Sequence, residues 1–366
     1  MDVVELARSF VDIPSPTGDE GRMAEASAAV LRDAGFDVQL LGVAAGRANV
    51  LATRAAPRVL LCTHLDTVPP HVPAGEDEDW LYGRGACDMK GPIAAQLLAV
   101  ERVARSGRSL SRPLALAYTF AEETGCDGAL ALVAGKSQLG DLGPASCLVG
   151  EPTGLAPMTG HKGYWIAHLR LRGVPAHSSR PALGADASRA LALLLEELHR
   201  LRRQLAQQAP DTGLQPPETT LNTGLVRAGL ARNVIPDRAE VVVELRPVPG
   251  VDAPALQRAV ADCVERATAV VPGTEGEVEW IETMPAFAQD RSAPLVAWLR
   301  ERTGKAPGVI PFYTEAELYR AGLGLPTAVC GPGSIDQAHR VDESVLFDEL
   351  LAGEQLYADA IAAFCG

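Results

Sequence analysis

Short apolar runs with no polar interruption recur through the first 150 residues. Residues 59–64 read VLLCTH, residues 113–123 read PLALAYTFAEE, and residues 145–153 read ASCLVGEPT. Runs of that length and composition suit strands covered on both faces. FDVQLL (36–41) and NVLATR (49–54) predict two more strands. Between these segments, RMAEASAAVLRDA (22–34) and GPIAAQLLAVERVARS (91–106) are built of helix formers, and Gly35 and Gly107 follow them as stop signals. Strand and helix in alternation predict a mostly parallel sheet. In such sheets ligands collect at the carboxyl ends of the strands. His64, Glu122, Glu123 and Glu151 all fall there.

The pattern then changes period. GYWIAHLRLRG (163–173) and RAEVVVELRP (238–247) alternate polar with apolar, as half-exposed antiparallel strands do. A long polar helix over 186–208, a Pro-rich loop near 209–218, a helix over 253–270 and a strand over 277–282 complete the segment. The order strand–helix–strand–strand–helix–strand predicts a small α+β domain at 164–282, inserted between the parts 1–163 and 283–366 of a larger α/β domain. After it the sequence predicts a helix over 293–304, a strand over 326–333 and a last helix from about 343.

Composition narrows the function classes. Of 366 residues 47% are hydrophobic and 22% charged, which suits a globular enzyme of about two domains. A net charge of -13 with no Lys/Arg stripe argues against nucleic acid as a partner. No basic segment leading into an apolar one opens the chain, and no apolar run approaches the ~18 residues that span a bilayer, so the expectation is a cytoplasmic protein with no membrane partner. Seven cysteines without CxxC spacing read as packed thiols in a reducing compartment.

The chemistry lies in coincidence of position. His64, Asp88, Glu122, Glu123 and Glu151 each end an apolar strand or sit in the Gly-rich YGRGACDMKG (82–91). That stretch does not fit GxGxxG, which sets dinucleotide binding aside. Carboxylates converging on one crevice repel each other unless a cation joins them. Imidazole with carboxylate suits Zn²⁺ or a similar metal.

THLDTVP (63–69), YGRGACDMKG, AEETG (121–125), VGEPT (149–153), AHSSRP (176–181) and GPGSIDQAHRVDE (331–343) together resemble the M20 metallopeptidase family of di-zinc amidohydrolases, in order and spacing over essentially the whole chain. The resemblance implies an α/β zinc-hydrolase catalytic domain with an inserted ferredoxin-like lid that also dimerises. It implies two divalent ions, Zn²⁺ or Co²⁺, with His64 and Glu151 on one, Glu123 and His339 on the other, and Asp88 bridging them ahead of a cis peptide to Met89. Asp66 would fix the His64 ring, Glu122 would be the general base, and His177 would serve the oxyanion from the partner of a homodimer. His71, His168 and His199 match nothing in the pattern, and Ala121 stands where many relatives carry Asp.

The implied substrate is a small N-acyl-L-amino acid. Arg246 in VELRPVPG would bind its carboxylate, with Asn233 and Lys162 as further contacts; Glu315, or Glu317, would meet a cationic tail, the alternative being an ordinary surface carboxylate. The GHKG, AHSS, YTEAELY and GPGSIDQAH segments are similar to those of the acetylornithine deacetylase group. This implies hydrolysis of N-acetyl-L-ornithine to L-ornithine and acetate, as in arginine biosynthesis. N-acetylcitrulline, N-succinyl-diaminopimelate, N-acyl-lysine and peptide substrates stay open.

Overall fold

The computed structural model describes residues 1–44, 46–53, 58–106, 114–139 and 145–366. Two compact units form. The first comprises Met1–Thr159, Ala288–Ile310 and Thr314–Gly366; the second comprises Gly160–Phe287 and Pro311–Tyr313. The inserted segment therefore begins and ends a few residues outside the expected 164–282.

The first unit is built on six strands in the spatial order Asp37–Ala44, Arg47–Thr53, Leu114–Thr119, Val59–His64, Ser146–Pro152 and Thr327–Gly331. The last four run parallel, and Arg47–Thr53 is antiparallel to both its neighbours. Every residue of Val59–His64 and Leu114–Thr119 is buried, as the unbroken apolar runs require. Register then levels the strand ends: His64 stands opposite Thr119, and Cys62 opposite Val149. Glu122, Glu123 and Glu151 come off the same end of the sheet as His64.

Helices Val3–Val11, Lys90–Arg105 and Phe347–Cys365 pack on one another. Lys90–Arg105 is buried on almost every side, and its start fits closely: a Cβ at Gly91 would lie 2.3 Å from the Ala86 carbonyl oxygen. Glycine there lets the helix begin directly against the loop that carries Asp88.

Some elements differ from expectation. The last helix starts at Phe347, not near 343, because Ser344–Leu346 pairs as a short strand with Trp80–Tyr82. Two helices were not expected: Val3–Val11, opened by reciprocal bonds between Asp2 and Glu5 and burying Val3, Leu6, Ala7, Phe10 and Val11 at helical spacing, and Ala316–Gly322, which is only two turns long. The stop at Gly107 and the first residue of the 113–123 run lie outside the described residues.

In the second unit, strands Thr220–Ala228, Arg238–Arg246, Tyr164–Arg172 and Glu275–Met284 lie side by side in that order, all antiparallel. This is the split β-α-β-β-α-β arrangement. Trp165, Ala167, Leu169 and Leu171 alternate inward, as do Ala239, Val241, Val243 and Leu245. Helices Ala187–Ala206 and Ala253–Ala269 cover that face with Leu191, Leu194, Leu198, Leu201, Val260 and Val264, and each starts at an aspartate cap, Asp186 or Asp252. Among the described residues, no helix is long and apolar enough to cross a membrane.

Candidate metal centre

The Val59–His64 strand delivers its imidazole fully buried. His64 Nδ1 lies 3.0 Å from the Asp66 backbone carbonyl oxygen and 3.4 Å from its carboxylate Oδ1. A carbonyl only accepts, so Nδ1 carries a hydrogen and Nε2 is the atom turned toward the carboxylates, where a cation would take the place of its proton. Nε2 faces Asp88 Oδ1 at 3.0 Å and Glu151 Oε1 at 4.0 Å. The Asp66 backbone carbonyl thus makes the shorter contact, and the carboxylate that the sequence assigned to the ring stands beside it. The carboxylate has other duties: it accepts the Thr17 hydroxyl and the backbone N–H groups of Glu122 and Glu123. It holds the turn on which both glutamates ride. Ala121 before them takes a left-handed φ of 59°.

Asp88 stands between two histidines. Its Oδ1 faces His64, and its Oδ2 lies 3.3 Å from Nε2 of His339, which also reaches Glu123 Oε1 at 3.1 Å. One carboxylate oxygen therefore meets each imidazole. The Asp88–Met89 peptide is cis. Potential ligand atoms of His64, Asp88 and Glu123 all lie within 4.8 Å of one another.

Electrostatics explain what such a cluster needs. Burial pushes the Glu122 carboxyl well above the usual carboxylate range; His64 opposes this, and Glu151, Glu123 and Glu315 add to it. Glu151 is raised in the same way, by burial first. Burial also raises Glu123, against its bond to His339. Asp88 goes the other way: burial works against it, yet bonds from His339 and His64 hold it below the ordinary range. The histidines answer in kind. Bonds to Asp88 and then Glu123 raise His339 to about 10, and Asp66 and Asp88 raise His64 in spite of burial. Without a cation, protons supply the positive charge. A divalent ion would take their place and free both imidazole lone pairs, so the donor set fits a metal.

The remaining expected residues are distributed as follows. His177, in the second unit, is exposed, and its Nδ1 accepts the Ser179 backbone N–H at 3.1 Å. Arg246 is bonded to Glu244 at 2.7 Å and stacked 4.4 Å over the Tyr164 ring. Lys162 is buried and donates to the Glu218 carbonyl oxygen at 2.7 Å, and Asn233 is exposed. Glu315 departs from expectation. It is 1% exposed and accepts the hydroxyls of Thr119 and Tyr319, so it is neither a surface carboxylate nor open to a substrate's ammonium. Burial raises its carboxyl to about 7. Glu317, also buried, is taken by Arg320 through both oxygens. Two residues escaped the sequence reading although they lie inside its own segments: Arg84 and Glu343 form a buried pair beside Asp88. Nothing in a charged loop residue announces burial.

The profile of peptidase family M20/M25/M40 matches residues 60–363. The chain belongs to this family. An acetylornithine deacetylase of Myxococcus xanthus is 35% identical over 92% of this chain and 87% of its own length. A tripeptidase of Staphylococcus aureus superposes with a TM-score of 0.82 at 21% identity, covering 99% of this chain and 98% of its own. A dinuclear metal binding peptidase of the M20 family from Bacillus subtilis gives 0.74 at 15%, covering 99% and 97%. This M20 chain is a metal-dependent hydrolase, and the His64–Asp88–Glu123 cluster is its candidate metal site.

A proton balance tests the centre. Asp88 and Glu123 push His339 up to about 10, which keeps a proton on it near pH 7, and an incoming Zn²⁺ would displace at least that proton. Affinity should fall as pH drops. Calorimetric titration in two buffers of different ionisation enthalpy should give different heats; equal heats would contradict the assignment.

Proposed function

We propose that this M20-family hydrolase cleaves the amide bond of an N-acyl-L-amino acid, with N-acetyl-L-ornithine as substrate and L-ornithine and acetate as products. Two divalent ions, zinc or cobalt, serve it. The observation that carries the reading is Asp88, with one oxygen toward each of two imidazoles and Glu122 close by. The name of the Myxococcus xanthus relative supports the choice of substrate.

His64 and Glu151 would hold one ion, His339 and Glu123 the other, and Asp88 both. The cations would supply Lewis acidity, polarising the amide carbonyl and acidifying water. The chain's own residues do the rest. Glu122 takes the proton of the attacking water and returns it to the leaving amine, a task suited to a carboxyl whose pKa burial has raised. Asp66 keeps Glu122 aimed through the backbone N–H it binds.

The second unit contributes binding groups in the same proposal. With Nδ1 of His177 accepting from Ser179, a neutral ring carries its hydrogen on Nε2, the form that can donate to a tetrahedral oxyanion. Arg246 would take the substrate carboxylate, with Asn233 and Lys162 as polar contacts. His177 would come from the partner of a homodimer. In support, Thr220–Ala228 is an edge strand that exposes Leu225 and Val226, apolar side chains that a second copy could cover.

Glu122→Gln should lower kcat by about 10²- to 10⁴-fold while zinc content stays unchanged. Unchanged turnover would refute its role. Across a panel of N-acyl amino acids and dipeptides, N-acetyl-L-ornithine should lead in kcat/KM by about tenfold or more. A dipeptide in first place would move the chain to the peptidases. Sedimentation should find a dimer that Leu225→Asp dissociates with loss of activity; a fully active monomer would remove the partner's His177 from the scheme.

A further inference from the structure

The ligand-bearing loops are joined by a buried ion pair that takes no part in ligation. Glu343 is 1% exposed. Its Oε1 accepts the backbone N–H groups of Gly85, Cys87 and Asp88 at 3.0, 3.1 and 2.9 Å. Its Oε2 accepts from Nη1 of Arg84, itself 2% exposed. Arg84 Nε donates to the carbonyl oxygen of Pro70, in the segment that leaves His64. The Glu343 carbonyl oxygen in turn accepts the Gly83 N–H at 2.9 Å. Glu343 lies four residues beyond His339. A single pair thus reaches the segments of His64, Asp88 and His339.

We propose that Glu343 is a positioning residue for the metal centre, with Arg84 as its counter-charge. Three amides on one oxygen fix the backbone of Asp88, and through it the direction of each carboxylate oxygen. The same side chain ties that backbone to the His339 loop. Arg84 neutralises the buried carboxylate, which would otherwise be too costly to keep ionised. The centre is set before any ion arrives, so an ion meets ligands that need no rearrangement. This inference rests on the reading of Asp88 and His339 as ligands.

Zinc affinity, measured by competition with a chelator, tests it. Glu343→Gln puts an amide N–H₂ against either Arg84 or the three backbone donors. Glu343→Asp keeps the charge but is one methylene short, and decides the matter if the glutamine variant does not fold. Each should weaken zinc binding about 10- to 100-fold. Glu354→Gln is the control, breaking the pair that buried Glu354 makes with exposed Arg102, away from the centre; it should leave affinity within about twofold. Hydrogen exchange needs no variant: the Gly85, Cys87 and Asp88 amides should be protected in the metal-free, unsubstituted chain. Free exchange there, or wild-type zinc affinity in folded Glu343→Asp, overturns the proposal. Zinc binding that survives Asp88→Asn overturns instead the ligand assignment beneath it.

Discussion

Like charges brought together out of water set the terms for this protein. Two unit charges 4 Å apart repel by about 4 kcal/mol at an effective dielectric constant of ~20. Asp88, Glu122, Glu123 and Glu151 crowd one end of the sheet, and a few such pairs would rival the 5–15 kcal/mol that holds a typical domain together. Two imidazoles offset part of this, and raised pKa values show protons supplying more of the positive charge. A divalent cation answers the same need more fully. The metal-dependent chemistry of the family follows from that electrostatic demand.

The fold brings the carboxylates together by register and then holds them by hydrogen bonds. Parallel pairing levels the ends of three strands, so His64, the paired glutamates and Glu151 meet although they are far apart in sequence. Asp66 and Glu343 then orient what the strands deliver. Asp66 grips the N–H groups of Glu122 and Glu123, and Glu343 grips those around Asp88. Both act on backbone, so the carboxylates themselves stay free to meet a cation.

Val59–His64, Leu114–Thr119 and Ser146–Pro152 were legible because burial on both faces leaves an unbroken apolar run, and Tyr164–Arg172 and Arg238–Arg246 because burial on one face leaves strict alternation; Thr220–Ala228, exposed along most of its length, leaves neither signal. The ligand segments were legible through their resemblance to a family. Other features depend on pairings across long stretches of chain. Glu343 meets Asp88 across 255 residues, and Glu315 meets Thr119 across 196. In sequence Glu315 reads as the partner of a cationic tail or a surface carboxylate, and Glu343 as the last residue of the His339 segment, so neither burial shows. The same limit explains the last helix: Ser344–Leu346 could be a helical turn until Trp80–Tyr82 offers it a partner.

Anomalous diffraction at the zinc edge, from crystals of the zinc-loaded chain, decides whether Asp88 joins two ions. Two peaks should share Asp88, one beside His64 and Glu151, the other beside His339 and Glu123. No peak at Asp88, or zinc bound only elsewhere on the surface, would contradict this assignment.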